Sequence, residues 1–288
     1  HFVGDFYVKF SQQAKENKSL KKEAQALLVK WELKDPEIRK LWKKMNGWVL
    51  EGFKETYQRF GVKFDEEYFE SEMYEKGKEM VQNSKLFVKD EEGNLVVKLE
   101  DYRMPNKVVL RADGTSVYMT QDLFVAEKRY QDFKFNQMIY VVANEQNNHF
   151  QQLFKILELL KKKYAPSLYH LSYGLVHLPS GRMKSREGTV IDADTLMDEI
   201  SGLAEKEVRK RYKQLSEKEI KERAEFISLG AIKFFMLRTD SHRDITFNPE
   251  DSLSFEGETG PYIQYTHARA CSILRKAKKE HNLQVSKK

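Results

Sequence analysis

The chain has 288 residues, with 50 Lys and Arg against 44 Asp and Glu, a net charge of +6. At 40% hydrophobic and 33% charged residues it can fill a core and still carry a densely charged surface, which excludes a disordered chain. The single Cys271 excludes an internal disulfide framework and a multi-cysteine zinc site, and no apolar run reaches the ~18 residues of a membrane span. A length of about two domains, a reducing cytoplasm and no membrane are the resulting expectations, and the mild basic excess suits an anionic partner such as RNA.

The opening HFVGDFYVKF reads as strand-like, and with no initiator Met the chain reads as an internal piece of something longer. Residues 11–60 read as helices. Ala24, Leu27, Leu28 and Trp31 share one helical face, and Asp35-Pro36 restarts the chain as N-cap and first helical residue. Ile38, Leu41, Trp42, Met45, Trp48, Val49 and Phe53 continue at helical spacing, and Gly61 closes the segment. At this spacing Trp31, Trp42 and Trp48 are core candidates, although such rings can also stack on bases. Residues 86–88 and 95–97 flank the turn DEEGN in a hairpin signal. Residues 108–110 and 116–119 flank Arg111-Ala112-Asp113-Gly114 in a second strand–turn–strand, after which Thr120 can cap a helix to about Tyr130.

The wholly apolar run MIYVV (138–142) reads as a strand buried on both faces of a parallel sheet. A helix follows, with Phe150, Leu153, Phe154, Leu157 and Leu160 inward, then a strand over 169–178. In such a strand–helix–strand unit ligands bind at the carboxyl ends of the strands, which places Gln146, His149 and the loop after Leu178 on one edge. Asp192 or Asp194 can cap the next helix, and helices are expected over 195–213 and 217–237. A polar break at 238–244, a short extended piece at 245–247 and a turn at 257–261 lead to a last helix from about Tyr262.

Four constellations could carry chemistry. Arg182, Lys184 and Arg186 crowd a loop that Gly188 closes, a cluster suited to a triphosphate, although a solvated basic turn looks the same. Tyr118 and Asp122 lie four apart at a helix start. If the first turn reaches back to Tyr118, both point the same way and suit a planar cation; an acidic residue in a first turn also simply stabilises the macrodipole. Gln146 and His149 can bond a ribose or phosphate, or be structural. On the last helix Tyr262, Tyr265, Arg269, Ser272 and Lys276 form one stripe and Ile263, Ala270, Ile273, Leu274 and Ala277 another. The first suits stacked bases and RNA phosphate; a partner helix is the other reading. His1, His170, His242 and His281 show no metal-ligand spacing, so no protein metal site is expected.

Five stretches, VYMTQDL, IYVVANEQNNHFQQ, HLSYGLV, GRMKSREGTVIDADTLMDE and TGPYIQYTHARACSIL, occur in the order found in arginyl-tRNA synthetases, which are class I aminoacyl-tRNA ligases. Each is weak alone, but together they make the chain resemble that family along nearly its whole length. The resemblance implies an α/β fold: the second half of a split Rossmann-like class I core with a parallel sheet, a helical insertion over 1–63, the catalytic half over 64–256, and the start of an anticodon-binding helical bundle over 257–288. It implies that Tyr118 and Asp122 receive the substrate guanidinium and that Gln146 helps hold L-arginine. It implies ATP binding by His149, by the Gly174–Val176 backbone (Gly174, Val176), and by Met183, Lys184, Ser185 and Arg186 of a KMSKS-like loop. Lys184 and Arg186 would stabilise the leaving pyrophosphate; Ser185 stands where the second lysine of that loop is usual. Tyr262, Tyr265 and Arg269 would meet tRNA(Arg), Mg2+ would travel with the phosphates, and a monomer is expected. The HIGH signature is absent from the sequence, so the chain alone is expected not to aminoacylate. A non-catalytic RNA-binding accessory protein and a synthetase for another amino acid are the alternatives, and Asp122 argues for a cationic substrate in the second case.

Overall fold

Helix α3 (Pro36–Phe60) shows how local chemistry sets the element boundaries. Asp35 Oδ1 accepts from the Glu37 and Ile38 amides at 3.1 Å each, Pro36 begins the helix, and Gly61 ends it at φ +70°. The computed structural model describes residues 1–177, 192–254 and 256–281, which divide into two compact units, His1–Tyr173 and Gly174–Lys288.

The first unit opens with α1 (Phe2–Glu16) and α2 (Ser19–Glu32). The strand expected over the first ten residues is therefore a helix. Phe2, Phe6 and Phe10 stand four apart, a helical period, and the Phe2 ring packs 5.0 Å from Phe6 and 5.7 Å from Trp48 of α3. Neither α2 nor α3 has a fully buried residue, which corrects the core reading of the tryptophans. Trp48 is 45% exposed, while Trp31 and Trp42 are half-buried with ring centroids 5.1 Å apart.

After α4 (Glu70–Gln82) comes an antiparallel sheet of β1 (Val88–Lys89), β2 (Leu95–Val97) and β3 (Lys107–Leu110), in that order. The hairpin turn stands as expected, with Asp90 Oδ1 accepting from the Glu92 amide at 3.0 Å and the Asn94 amide at 2.8 Å. The second strand–turn–strand shrinks to one bridge between Leu110 and Ser116, because the chain enters α5 (Tyr118–Phe133) at once. Thr120 is not the N-cap but the third residue of α5. Its hydroxyl accepts from the Val117 amide at 2.9 Å and donates to the Val109 carbonyl, pinning the helix start to β3.

The parallel pair β4 (Met138–Ala143) and β5 (Leu168–Tyr173) runs in register from Met138–Leu168 to Ala143–Tyr173, with α6 (Asn147–Leu159) between them in sequence. Leu123 and Ala126 of α5 join Leu153, Ile156 and Leu157 of α6, and Val97 and Val109 of the antiparallel sheet, in one buried core. Strand β4 is not buried on both faces. Met138, Tyr140 and Val142 turn to that core, whereas the alternate Ile139 and Val141 are 51% and 62% exposed. Among the described residues β5 is the only strand paired with β4.

The single strand expected over 169–178 breaks at Gly174, the first residue of the second unit. The Gly174 amide donates to the Ser241 carbonyl at 2.7 Å, and a Cβ there would collide with the Arg243 carbonyl. Beyond it, β6 (Val176–His177) pairs in parallel with β7 (Ile245–Thr246). Helix α7 (Ala193–Arg211) is capped by Asp192, whose Oδ1 accepts from the Thr195 amide at 2.8 Å. Helix α8 (Glu217–Leu237) begins with a Ser216–Glu219 capping box. The short α9 (Pro249–Ser252) precedes α10 (Gly260–His281), whose start lies directly on Gly230 of α8. Ile263, Ile273 and Leu274 of α10 are exposed. No described helix is long and apolar enough to cross a membrane.

Gly77 lets α4 lie against the first turn of α5, since a Cβ on it would run into the Thr120 backbone carbonyl. Gly77→Ala is expected to cost about 1–3 kcal/mol of stability, read as a lower urea midpoint at unchanged slope. A midpoint equal to that of the unsubstituted protein would contradict this close approach.

Candidate functional site

Helix α5 buries Met119, Leu123 and Ala126, and its period turns Tyr118 and Asp122 to the other side. Tyr118 is the first residue of the helix and is 73% exposed; Asp122 follows one turn later with its side chain 39% exposed. The first turn does reach back to Tyr118, so phenol and carboxylate share one face.

The first turn of α6 meets that face. His149 Nε2 lies 2.7 Å from Asp122 Oδ2, and its ring stands edge-on to Phe150 at 5.6 Å. Gln146 is the N-cap of α6, exposed, three residues before His149. The fold thus brings Tyr118, Asp122 and His149 to one locus, with Gln146 at the adjoining helix start beyond the carboxyl end of β4. The observed partner of His149 is the Asp122 carboxylate.

Two further groups belong to this locus. Burial, and then the charge of Asp122, raise the Glu70 carboxyl above its ordinary value, and Glu70 has no ion pair among the described residues. Burial pushes the Tyr140 hydroxyl far up; the Arg129 guanidinium opposes this and the Asp122 charge adds to it. Arg129 also lies 5.7 Å from the Tyr140 ring centroid. Glu70 sits 52 positions before Asp122 in an acid-rich stretch, and no local spacing marks it. Tyr140 carried a faint signal, as the one residue with a polar tip inside MIYVV. Two carboxylates near an open phenol are chemically suited to an organic cation, because either can accept paired hydrogen bonds from a planar donor.

In the second unit, Gly174 and Val176 lie along the 241–247 segment. Asp244 Oδ1 accepts from the Leu175 amide at 2.7 Å, and Oδ2 lies 3.2 Å from His177 Nε2. The Ile245 and Phe247 amides donate to the Leu175 and His177 carbonyls at 2.9 and 2.8 Å. By parallel-ladder geometry this leaves the N–H and C=O of Val176 on the edge of β6 away from β7. Met183, Lys184, Ser185 and Arg186 lie outside the described residues. On α10, Tyr262 and Tyr265 are 44% and 47% exposed, and Arg269 donates to the Tyr265 hydroxyl at 2.8 Å, so these three form one surface stripe.

Residues 2–248 match the family model described as class I tRNA synthetases (R), catalytic domain. An arginine–tRNA ligase of Treponema denticola is 49% identical over 281 residues, 96% of this chain and 48% of the relative. One of Amoebophilus asiaticus is 47% identical over 95% of this chain and 50% of the relative. The chain spans about half the length of the curated relatives it matches. Two solved structures are similar in fold. Arginyl-tRNA synthetase from Plasmodium falciparum has TM-score 0.73 at 22% identity, over 93% of this chain and 46% of that one. The Thermus thermophilus enzyme has TM-score 0.66 at 24% identity, over 94% and 55%. With its α/β architecture, its parallel strands and a family match across most of its length, the chain belongs to the class I arginyl-tRNA synthetase catalytic-domain family.

Proposed function

We propose that this chain supplies the arginine-recognising half of an ATP-dependent arginine–tRNA ligase, working in the cytoplasm. The observation that carries the reading is the exposed face of α5 on which Asp122, four residues after Tyr118, stands within the electrostatic reach of Glu70. The guanidinium of L-arginine would stack on Tyr118 and share hydrogen bonds with the Asp122 carboxylate, with Glu70 as a second negative group. In this reading arginine takes the place of His149 at Asp122. Gln146, at the start of α6, would help hold the arginine.

The chemistry is an adenylyl transfer followed by an acyl transfer, without a side-chain nucleophile. The arginine carboxylate attacks the α-phosphate of ATP and pyrophosphate leaves. A terminal ribose hydroxyl of tRNA(Arg) then attacks the arginyl carbonyl, and AMP leaves. Positioning and charge stabilisation do the work. The outward N–H and C=O of Val176 suit the edge of adenine, Gly174 lets that strand lie close to its neighbour, and Met183, Lys184, Ser185 and Arg186 are proposed to act on the phosphates. Lys184 and Arg186 would neutralise the pyrophosphate. Mg2+ would be held mainly by the phosphates, with oxygen ligands and water completing its shell. The stripe of Tyr262, Tyr265 and Arg269 suits RNA bases and phosphate. In the family frame, residues 1–63 are an insertion in a split Rossmann-like core, 64–256 its second half, and 257–288 the start of a helical bundle.

Calorimetric titration with L-arginine tests the reading. Arginine is expected to bind, and citrulline, which keeps the shape but not the charge, to bind roughly 10–100-fold more weakly, the scale of a lost charged hydrogen bond. Asp122→Ala should weaken arginine by a similar factor. Equal affinity for the two ligands would overturn the assignment.

Glu70 gives a second, pH-resolved test. Its folded-state value lies above the ordinary 4.5. The folded state therefore holds the proton over a window that begins near the unfolded value, and stability falls as pH rises through it. Glu70→Gln is expected to raise the denaturation midpoint at pH 7, to leave it unchanged below about pH 4, and to weaken arginine binding. A lower midpoint at pH 7 would show that the charge is compensated and contradict the proposed role.

A further inference from the structure

A cavity of about 520 Å³ opens between α2, α3, α4 and the start of α5, within the usual size of a small-molecule site. Its wall is apolar and aromatic, with Leu28, Ile38, Trp31, Trp42 and Tyr74 prominent, and neither Tyr118 nor Asp122 lines it. Two carboxylates border it, and they differ. Glu32 is satisfied: Lys78 pairs with it at 2.8 Å, and the Ser116 amide and hydroxyl each donate to it at 3.0 Å. Glu70 has no such partner among the described residues and is partly desolvated. The nearby cation Arg39 is committed elsewhere. It stacks 3.6 Å above Trp31, donates to the Trp31 carbonyl at 2.8 Å and to the Tyr74 hydroxyl at 2.7 Å, and does not line the space.

An apolar aromatic cavity with one uncompensated carboxylate on its rim has a defined complement. We propose that it binds an amphiphilic organic cation, an arylalkyl ammonium or guanidinium whose ring lies among Trp31, Trp42 and Tyr74 and whose charge meets Glu70. The aromatic faces favour a cation at the rim and a flat apolar body within. Free arginine does not fit this description, since its ammonium and carboxylate would have to sit against Leu and Trp walls. The site is thus distinct from the Asp122 locus and shares only Glu70 with its proposed arginine ligands. An occupant that pairs with Glu70 removes one of the two negative charges there, and so lowers the affinity for arginine.

The three tryptophans provide the readout, because Trp31 and Trp42 line the cavity and Trp48 does not. In protein labelled with 15N-tryptophan, indole signals assigned with Trp31→Phe and Trp42→Phe are followed while 2-(2-naphthyl)ethylamine is added. The Trp31 and Trp42 signals should shift and saturate, with Trp48 still. The neutral 2-(2-naphthyl)ethanol should bind roughly tenfold more weakly, and Glu70→Gln should erase that difference. Leu28→Trp, which fills the space, should abolish binding of the amine and leave calorimetric binding of arginine intact. No saturable shift with the amine, equal shifts of all three signals, or equal affinity for amine and alcohol would each overturn the proposal, and the last would make the cavity a plain apolar cleft. The comparison of amine with alcohol needs no substituted protein. Saturable binding of the amine by a protein that, with Asp122 intact, does not bind arginine would sink the arginine reading and leave this one standing.

Discussion

The periodicity of α5 is the constraint on which the rest depends. Met119, Leu123 and Ala126 are fully withdrawn from solvent, and a helix that commits those positions to the core has no choice about Tyr118 and Asp122. Two contacts hold the helix in register. The Thr120 hydroxyl joins it to β3, and Gly77 allows α4 to press on its first turn. A half-turn rotation of α5 would bury Asp122 beside leucines, and the desolvation of an unpaired carboxylate opposes that strongly. Packing and electrostatics therefore select the same orientation.

The consequence is a concentration of negative charge that the fold tolerates rather than needs. Asp122 has His149 against it, but Glu70 has no described ion pair, and its raised value is a cost at neutral pH that a cationic ligand would relieve. Such uncompensated groups are common where binding is the purpose, since a fold built for stability alone would pair or remove them. The exposed Tyr118 ring fits the same pattern: an aromatic face left open beside a carboxylate stabilises the fold little.

Much of this was legible in the sequence. Asp35-Pro36 and Gly61, the DEEGN turn and Asp192 act through local backbone chemistry and stand where their residues predict, and the strand–helix–strand unit around MIYVV forms with its second strand ending at Tyr173. The pairing of Tyr118 with Asp122 followed from spacing alone once the helix start was known. What escaped depended on distant neighbours. Phe2, Phe6 and Phe10 carry a helical period within a stretch rich enough in aromatics to pass for a strand. MIYVV does not reveal which of its faces is covered, and Ile139 and Val141 turned out exposed. Glu70 reaches Asp122 only through the packing of α4 on α5, and no one-dimensional pattern reports that contact.

The central claim is that the Asp122 carboxylate is the cation acceptor and that arginine must take it from His149. The 15N resonance of His149 Nε2, recorded as L-arginine is added, tests this most directly. Displacement predicts a shift that saturates with arginine and does not occur with citrulline. A His149 signal unmoved while arginine is demonstrably bound would place the guanidinium elsewhere and contradict the account.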